Sequence, residues 1–215
     1  MSGFDAERFD KLVAQHTPKS PPPPFDPAPA GALESLLVHA FLLHDCTAPD
    51  ADKAFKKLMN AFVDLNELRV ARADDIASAI GARYAGAEQR AASLKRTLND
   101  IFNREHVVTL SRLADKNKRD AKQYLASLDG CPPFVAARVL LVGFGGHAVP
   151  LDALLLHRLV KARVFEEGAE LDRAAATLER HVKAAEALAT HHALEALRET
   201  SKPATPARSR AAAGR

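Results

Sequence analysis

The carboxylate of Asp152 stands alone in an apolar setting, and its position invites a chemical explanation. It is the one charged group in the loop GGHAVPLD (145–152), and it opens the helix predicted over ALLLHRLVKARV. An aspartate there could simply cap the helix, or it could supply a fixed anion to a reaction. Upstream, a tight turn, Asp129-Gly130-Cys131-Pro132-Pro133, separates the short segment LASL from an almost wholly apolar run, Phe134 to Phe144. Turn residues stand where a helix-turn-helix unit needs them. Such a turn presents backbone N–H groups at the start of its second helix. Together with the positive end of the helix dipole, those donors suit a phosphate oxygen. The backbone around Gly130, Cys131, Phe134 and Val135 is therefore the candidate anion grip, unless the turn is only a corner of a helical core. Lys116, Lys118, Arg119 and Lys122 just precede it. They could contact phosphates or form a solvated face.

The other reactive side chains are less informative. Two cysteines, Cys46 and Cys131, cannot build a disulfide framework, a four-thiolate zinc site or an all-cysteine iron–sulfur site. They read as reduced thiols packed as small apolar groups. None of the nine histidines falls in a recognised ligand spacing. The neighbours His191 and His192 point to different helix faces, so no metal or other cofactor is expected.

The elements that position these groups are helical throughout. FDAERFDKLVAQ (4–15) reads as a short amphipathic helix with Phe4, Phe9, Leu12 and Val13 on its apolar side. Seven prolines between 18 and 29 then impose an extended connector, a stiff spacer or a proline-motif ligand. ALESLLVHAFLLH (32–44) is apolar nearly all round, as a central buried helix should be. Asp50 can cap a helix over ADKAFKKLMNAF. ADDIASAI (73–80) ends at Gly81, and a long helix follows over 85–103 with Leu94, Leu98, Ile101 and Phe102 inward. LSRLA and KRDAKQYLASL lead into the turn. After Glu167-Gly168, Asp172 can cap a final long segment running to Arg198-Glu199. No convincing strand is found, and HVVTL (106–110) is short and isolated.

Length and composition fit one all-α domain, or two small halves sharing a core, with nearly half the residues apolar. The predicted organisation is an N-terminal helix and Pro-rich linker (1–30), a helical domain (31–198) and a basic tail (199–215). No apolar run is long enough to span a membrane. With no signal-peptide block at the start, a cytoplasmic location is expected. The net charge is +3, but Lys202, Arg208, Arg210 and Arg215 lie in the tail, and without those four the rest carries −1. Global charge thus gives no case for nucleic-acid binding by the folded part; the tail could add salt-sensitive affinity or merely solubilise the chain.

The stretch LDGCPPFVAARVLLVGFGGHAVPLDALLLHRLV resembles the helix-hairpin-helix/Gly-Pro-Asp superfamily of base-excision DNA glycosylases, nearest to endonuclease III. That family shows L-P-G-V-G-x-x-T-A-x-x-V-L, a Gly-rich loop and then V-D-T-H before a helix. Leu128, Gly130, Ala136, Val139, Leu140, Gly145, Pro150, Leu151 and Asp152 match it, with the hairpin-to-acid spacing kept. More weakly, 32–55 resembles the family's first core helix and loop, and 78–94 its I-G-x-x-x-K-A segment.

The resemblance implies a two-part helical domain gripping double-stranded DNA, acting as a monomer near the nucleoid, with a damaged nucleotide flipped into its cleft. It also implies a role for Asp152: an anion stabilising the oxocarbenium-like sugar and aiding water attack at C1′. The departures are specific. Phe134 stands where strand-cleaving members carry their Schiff-base lysine, so a hydrolase without lyase activity is expected. Pro132 replaces the second hairpin glycine, and each proline removes a donor. V-D-T-H becomes L-D-A-L, His44-Asp45-Cys46 lies near the family's helix-invading glutamine, and the four-cysteine iron–sulfur loop is absent. These losses favour a non-catalytic DNA-binding or scaffold protein that kept the fold, whereas the retained Asp152 with its spacing favours the enzyme.

Overall fold

A computed structural model describes residues 3–20, 31–81 and 83–199 of the chain. Most of the proline-rich connector and nearly all of the basic tail lie outside the described residues. Among those described there are eleven α-helices and no strand, only an isolated bridge between Phe4 and Phe165. In chain order the helices are α1 Ala6–His16, α2 Ala32–Leu43, α3 Ala48–Ala61, α4 Leu65–Val70, α5 Ala73–Ile80, α6 Ala87–Glu105, α7 Lys118–Ala126, α8 Pro133–Arg138, α9 Ala153–Lys161, α10 Leu171–His181 and α11 Ala187–Glu199. α8 runs on into a π-helical turn over Val139–Gly143, so the apolar run after the hairpin is one helix with a widened last turn.

The hydrophobic pattern explains the arrangement. α2 is buried from Glu34 to Leu43, and Leu37, Val38, Ala40 and Leu42 lose all contact with solvent. Each such leucine or valine side chain contributes roughly 1.5–3 kcal/mol by leaving water. α2 therefore has neighbours on every side: α3, α6, α8 and the π turn all pack on it. One group of helices, α3 to α6, forms its own packed set, with α5 against both α3 and α6. The other group joins the two ends of the chain, α1 against α11 and α9 against α10 and α11. Such a division gives the two-part helical domain.

The polar residues buried in α2 are paired across long sequence distances. Glu34 Oε1 accepts from the Leu110 amide at 2.6 Å and the Thr109 hydroxyl at 2.9 Å. The His39 ring meets Asp52 at 2.9 Å. Burial, aided by the Arg138 charge, pulls the His39 pKa from 6.5 down to about 4, against the opposing pull of Asp52. The folded state thus refuses a proton that the unfolded chain accepts. The stability this confers is complete above pH 6.5 and is lost as the pH falls towards 4, a change of up to about 3 kcal/mol. Urea midpoints at pH 7.5 and pH 5 are expected to show that loss. His39→Gln, which can still bond Asp52, should flatten the pH dependence.

Two details differ from the sequence-based expectations, and a third resolves the long terminal segment. α3 starts at Ala48 with Thr47 as N-cap residue, so Asp50 lies inside the first turn, where its carboxylate accepts from the Thr47 hydroxyl at 2.9 Å. α10 likewise starts at Leu171, one residue before Asp172, with Glu170 at the cap position. The terminal segment is broken at Val182, whose backbone turns extended; the His147 ring bonds its carbonyl at 2.9 Å and fixes the break.

Candidate functional site

The hairpin is built on α6. Thr97 donates its hydroxyl to the Asp129 carbonyl at 2.8 Å, and the Asp129 amide donates to Asp100 at 2.8 Å. Arg104 ties down the end of α7 two residues earlier, donating to the Ser127 carbonyl at 2.8 Å. Gly130 takes a left-handed conformation, φ 73°, and a Cβ there would lie 2.9 Å from the Ser93 carbonyl oxygen. Both facts call for glycine. Pro132 holds the N-cap position of α8 and Pro133 the first helical position, where a proline is well tolerated. The Cys131 amide is used inside the turn, donating to Leu128 at 3.2 Å. The amides of Phe134 and Val135 have no protein acceptor among the described residues, while both side chains are buried. Burial pushes the Cys131 thiol up to about 12, so it stays protonated.

Of the basic residues before the turn, Arg119 is exposed. Lys118 instead donates to the Phe144 carbonyl, and Lys122 pairs with Glu179 on α10. Lys122 and Glu179 rim an apolar cavity of about 230 Å³ walled by Cys131, Phe134, Leu140, Val149 and Leu151. Asp152 is not part of that wall.

Asp152 is the N-cap of α9, and it is completely buried. Its Oδ1 accepts from the Leu155 amide at 2.9 Å. Its Oδ2 accepts from the Asp45 amide at 2.7 Å and from Arg198 Nη1 at 2.7 Å. The loop after α2 therefore lies directly over the acid. Asp45 sits in that loop with a left-handed backbone, φ 54°, and its own carboxylate accepts from the Leu154 amide at 3.1 Å. Two aspartates thus cap one helix, one buried and one at the surface. Beside them the His44 ring stacks on Phe134 with centroids 5.6 Å apart. Burial lowers the His44 pKa, with Asp45 and Asp152 opposing that shift, which favours a neutral imidazole.

Arg198 was not apparent as a site residue from the sequence. Its side chain is fully buried at the end of α11, and Nη1 also reaches the carbonyls of Leu43 at 3.2 Å and Cys46 at 3.0 Å. Its guanidinium lies 5.2 Å from the Phe134 ring centroid, and Nε meets Glu195 at 3.3 Å. The structure thus joins Phe134 and Asp152 through Arg198 and leaves Lys118 and Lys122 engaged elsewhere. One signal was present in the sequence: Arg198 falls on the apolar stripe of α11, four residues after Leu194 and seven after His191. A charge on such a stripe needs a buried partner.

No protein-family model and no curated protein matches the sequence. Solved structures do match in shape. A trapped endonuclease III–DNA covalent intermediate superposes with a TM-score of 0.60 at 15% identity, over 88% of this chain and 82% of that one. A thermostable thymine-DNA glycosylase gives 0.61 at 17% identity, over 91% and 89%. The H. pylori 3-methyladenine DNA glycosylase MagIII, bound to 1,N6-ethenoadenine, gives 0.57 at 17% identity, over 91% and 96%. Hairpin, capped helix and two-part helical packing together identify the chain's architecture as the all-α fold of the helix-hairpin-helix DNA glycosylases.

Proposed function

We propose that this protein binds duplex DNA and hydrolyses the N-glycosidic bond of an extruded base, without cutting the strand. The observation that carries the proposal is the fixed carboxylate of Asp152, at the start of a helix and linked to the hairpin's Phe134 through Arg198. As the C1′–N bond breaks, its electron pair leaves with the base and positive charge grows on the sugar. Asp152 would stabilise that charge electrostatically. Water then bonds C1′, and the proton it loses to solvent balances the one the departing base takes up. Phe134 offers no amine, so an imine with the sugar cannot form there. Structures of similar shape include endonuclease III on DNA and a 3-methyladenine glycosylase, which supports duplex DNA as the partner. For Asp152 to meet a sugar, the Asp45 amide must first lift from its Oδ2.

A specific observation favours a second reading. Asp152 presents no surface, and both its oxygens are already hydrogen-bonded. A duplex-binding protein that retained the acid only as a helix cap would look the same. Base release from duplexes carrying a panel of damaged bases separates the two. Under the enzyme reading Asp152→Asn loses about 10²–10³-fold in rate with duplex affinity retained. Duplex binding with no release on any lesion would leave the second reading standing.

A further inference from the structure

We infer that Arg198 is the positioning residue of the Asp152 carboxylate, which makes the C-terminal helix α11 part of the site. The inference rests on the glycosylase reading above. The covering groups on Asp152 come from two sides. The loop that supplies the Asp45 amide is partly exposed, with the His44 and Asp45 side chains 27% and 38% open to solvent. Arg198 approaches from the interior and is entirely closed off. When the loop lifts to admit a sugar, the contact left to aim Oδ2 is therefore the one from Nη1. The same Nη1 bonds the Leu43 and Cys46 carbonyls at either end of the loop, so acid and loop ends are referred to one guanidinium.

Stability alone gives little reason for this arrangement. Buried ion pairs are often no better than well-packed apolar groups of the same volume, because desolvation offsets the attraction. Here the guanidinium is not even satisfied: Nη2 is buried with no partner in the described structure. What the pair does supply is a carboxylate held in place in apolar surroundings, with one oxygen on the helix cap and the other on the guanidinium Nη1. An electrostatic stabiliser needs that fixity, since its effect depends on being in place before charge develops.

The test is single-turnover base release by the full-length protein at saturating concentration, on the best lesion duplex, for wild type, Arg198→Lys, Asp152→Asn and the double variant. Duplex affinity by fluorescence anisotropy and a thermal melt accompany each. Lysine keeps the charge but not the fork. Arg198→Lys is expected to slow release about 10²-fold while the duplex Kd stays within about twofold. The double variant should be no slower than Asp152→Asn alone, because Arg198 acts through the acid. Arg198→Gln, still able to donate to Oδ2, should show the same pattern and replaces lysine if that variant melts early. Release within about threefold of wild type, a loss confined to Kd, or an undiminished loss on top of Asp152→Asn would each overturn the positioning role. Absence of release by the wild type itself would instead remove the glycosylase reading, and this role with it.

Discussion

Arg198→Met is expected to lower the unfolding free energy by about 3–5 kcal/mol, the usual cost of removing one partner from a buried ion pair. Methionine fills most of the volume of the arginine stem, so the cavity contribution is small and the loss is chiefly electrostatic. Four acceptors lose a donor at once: Asp152 Oδ2, Glu195 Oε1 and the carbonyls of Leu43 and Cys46. The Leu43 carbonyl lies at the C-terminal end of α2, where a helix leaves acceptors without internal partners, and the Cys46 carbonyl lies at the far end of the following loop. The carbonyls of Phe41 and Leu42 are served by Arg90 and Tyr84, and Leu43 keeps the Cys46 amide at 3.0 Å, so the uncompensated loss falls chiefly on the carboxylates. Adding Asp152→Asn should recover part of the loss, because an amide strands no charge in the interior. Urea unfolding of the wild type and the two variants measures both effects. An unchanged midpoint for Arg198→Met would mean that the pair contributes nothing to the fold.

The same residue marks where sequence reading stops. Local patterns carried most of the architecture: the apolar circumference of α2, Gly81 at the end of α5, the prolines and Gly130 at the hairpin, and Asp152 as a cap. Each depends on residues a few positions apart, and the structure agrees with each. α4 was missed because six residues hold too little periodicity to register. The partners of buried polar groups were missed for a different reason. Arg198 meets Asp152 across 46 positions and Leu43 across 155, and Glu34 meets Leu110 across 76. Nothing local specifies such pairings; only the packing of whole helices brings them together. Lys122 illustrates the same limit, since its pairing with Glu179 depends on where α10 docks.

Under the proposed reading, Phe134→Lys is expected to form a covalent complex with an abasic-site duplex, trapped by borohydride, above the wild-type level. The ring it replaces is 2% exposed, stacked on His44 and 5.2 Å from the Arg198 guanidinium. An amine there is desolvated and beside a fixed cation, and both influences favour its neutral, nucleophilic form. It would attack the C1′ aldehyde of the opened sugar and lose water to give an imine. Hydride from borohydride then reduces that imine to a stable secondary amine. Losing the aromatic packing costs about 3 kcal/mol, so trapping is best measured well below the melting temperature. The same variant separates the two functional readings without requiring the correct lesion, because an abasic site needs no base to be recognised. If the loop over Asp152 lifts on DNA, the sugar reaches position 134 and trapping rises above the wild-type level. If the site stays sealed by the Asp45 amide and the His44 stack, the variant binds duplex and traps no more than wild type. Asp152 is then a structural cap, and the fold serves DNA binding alone.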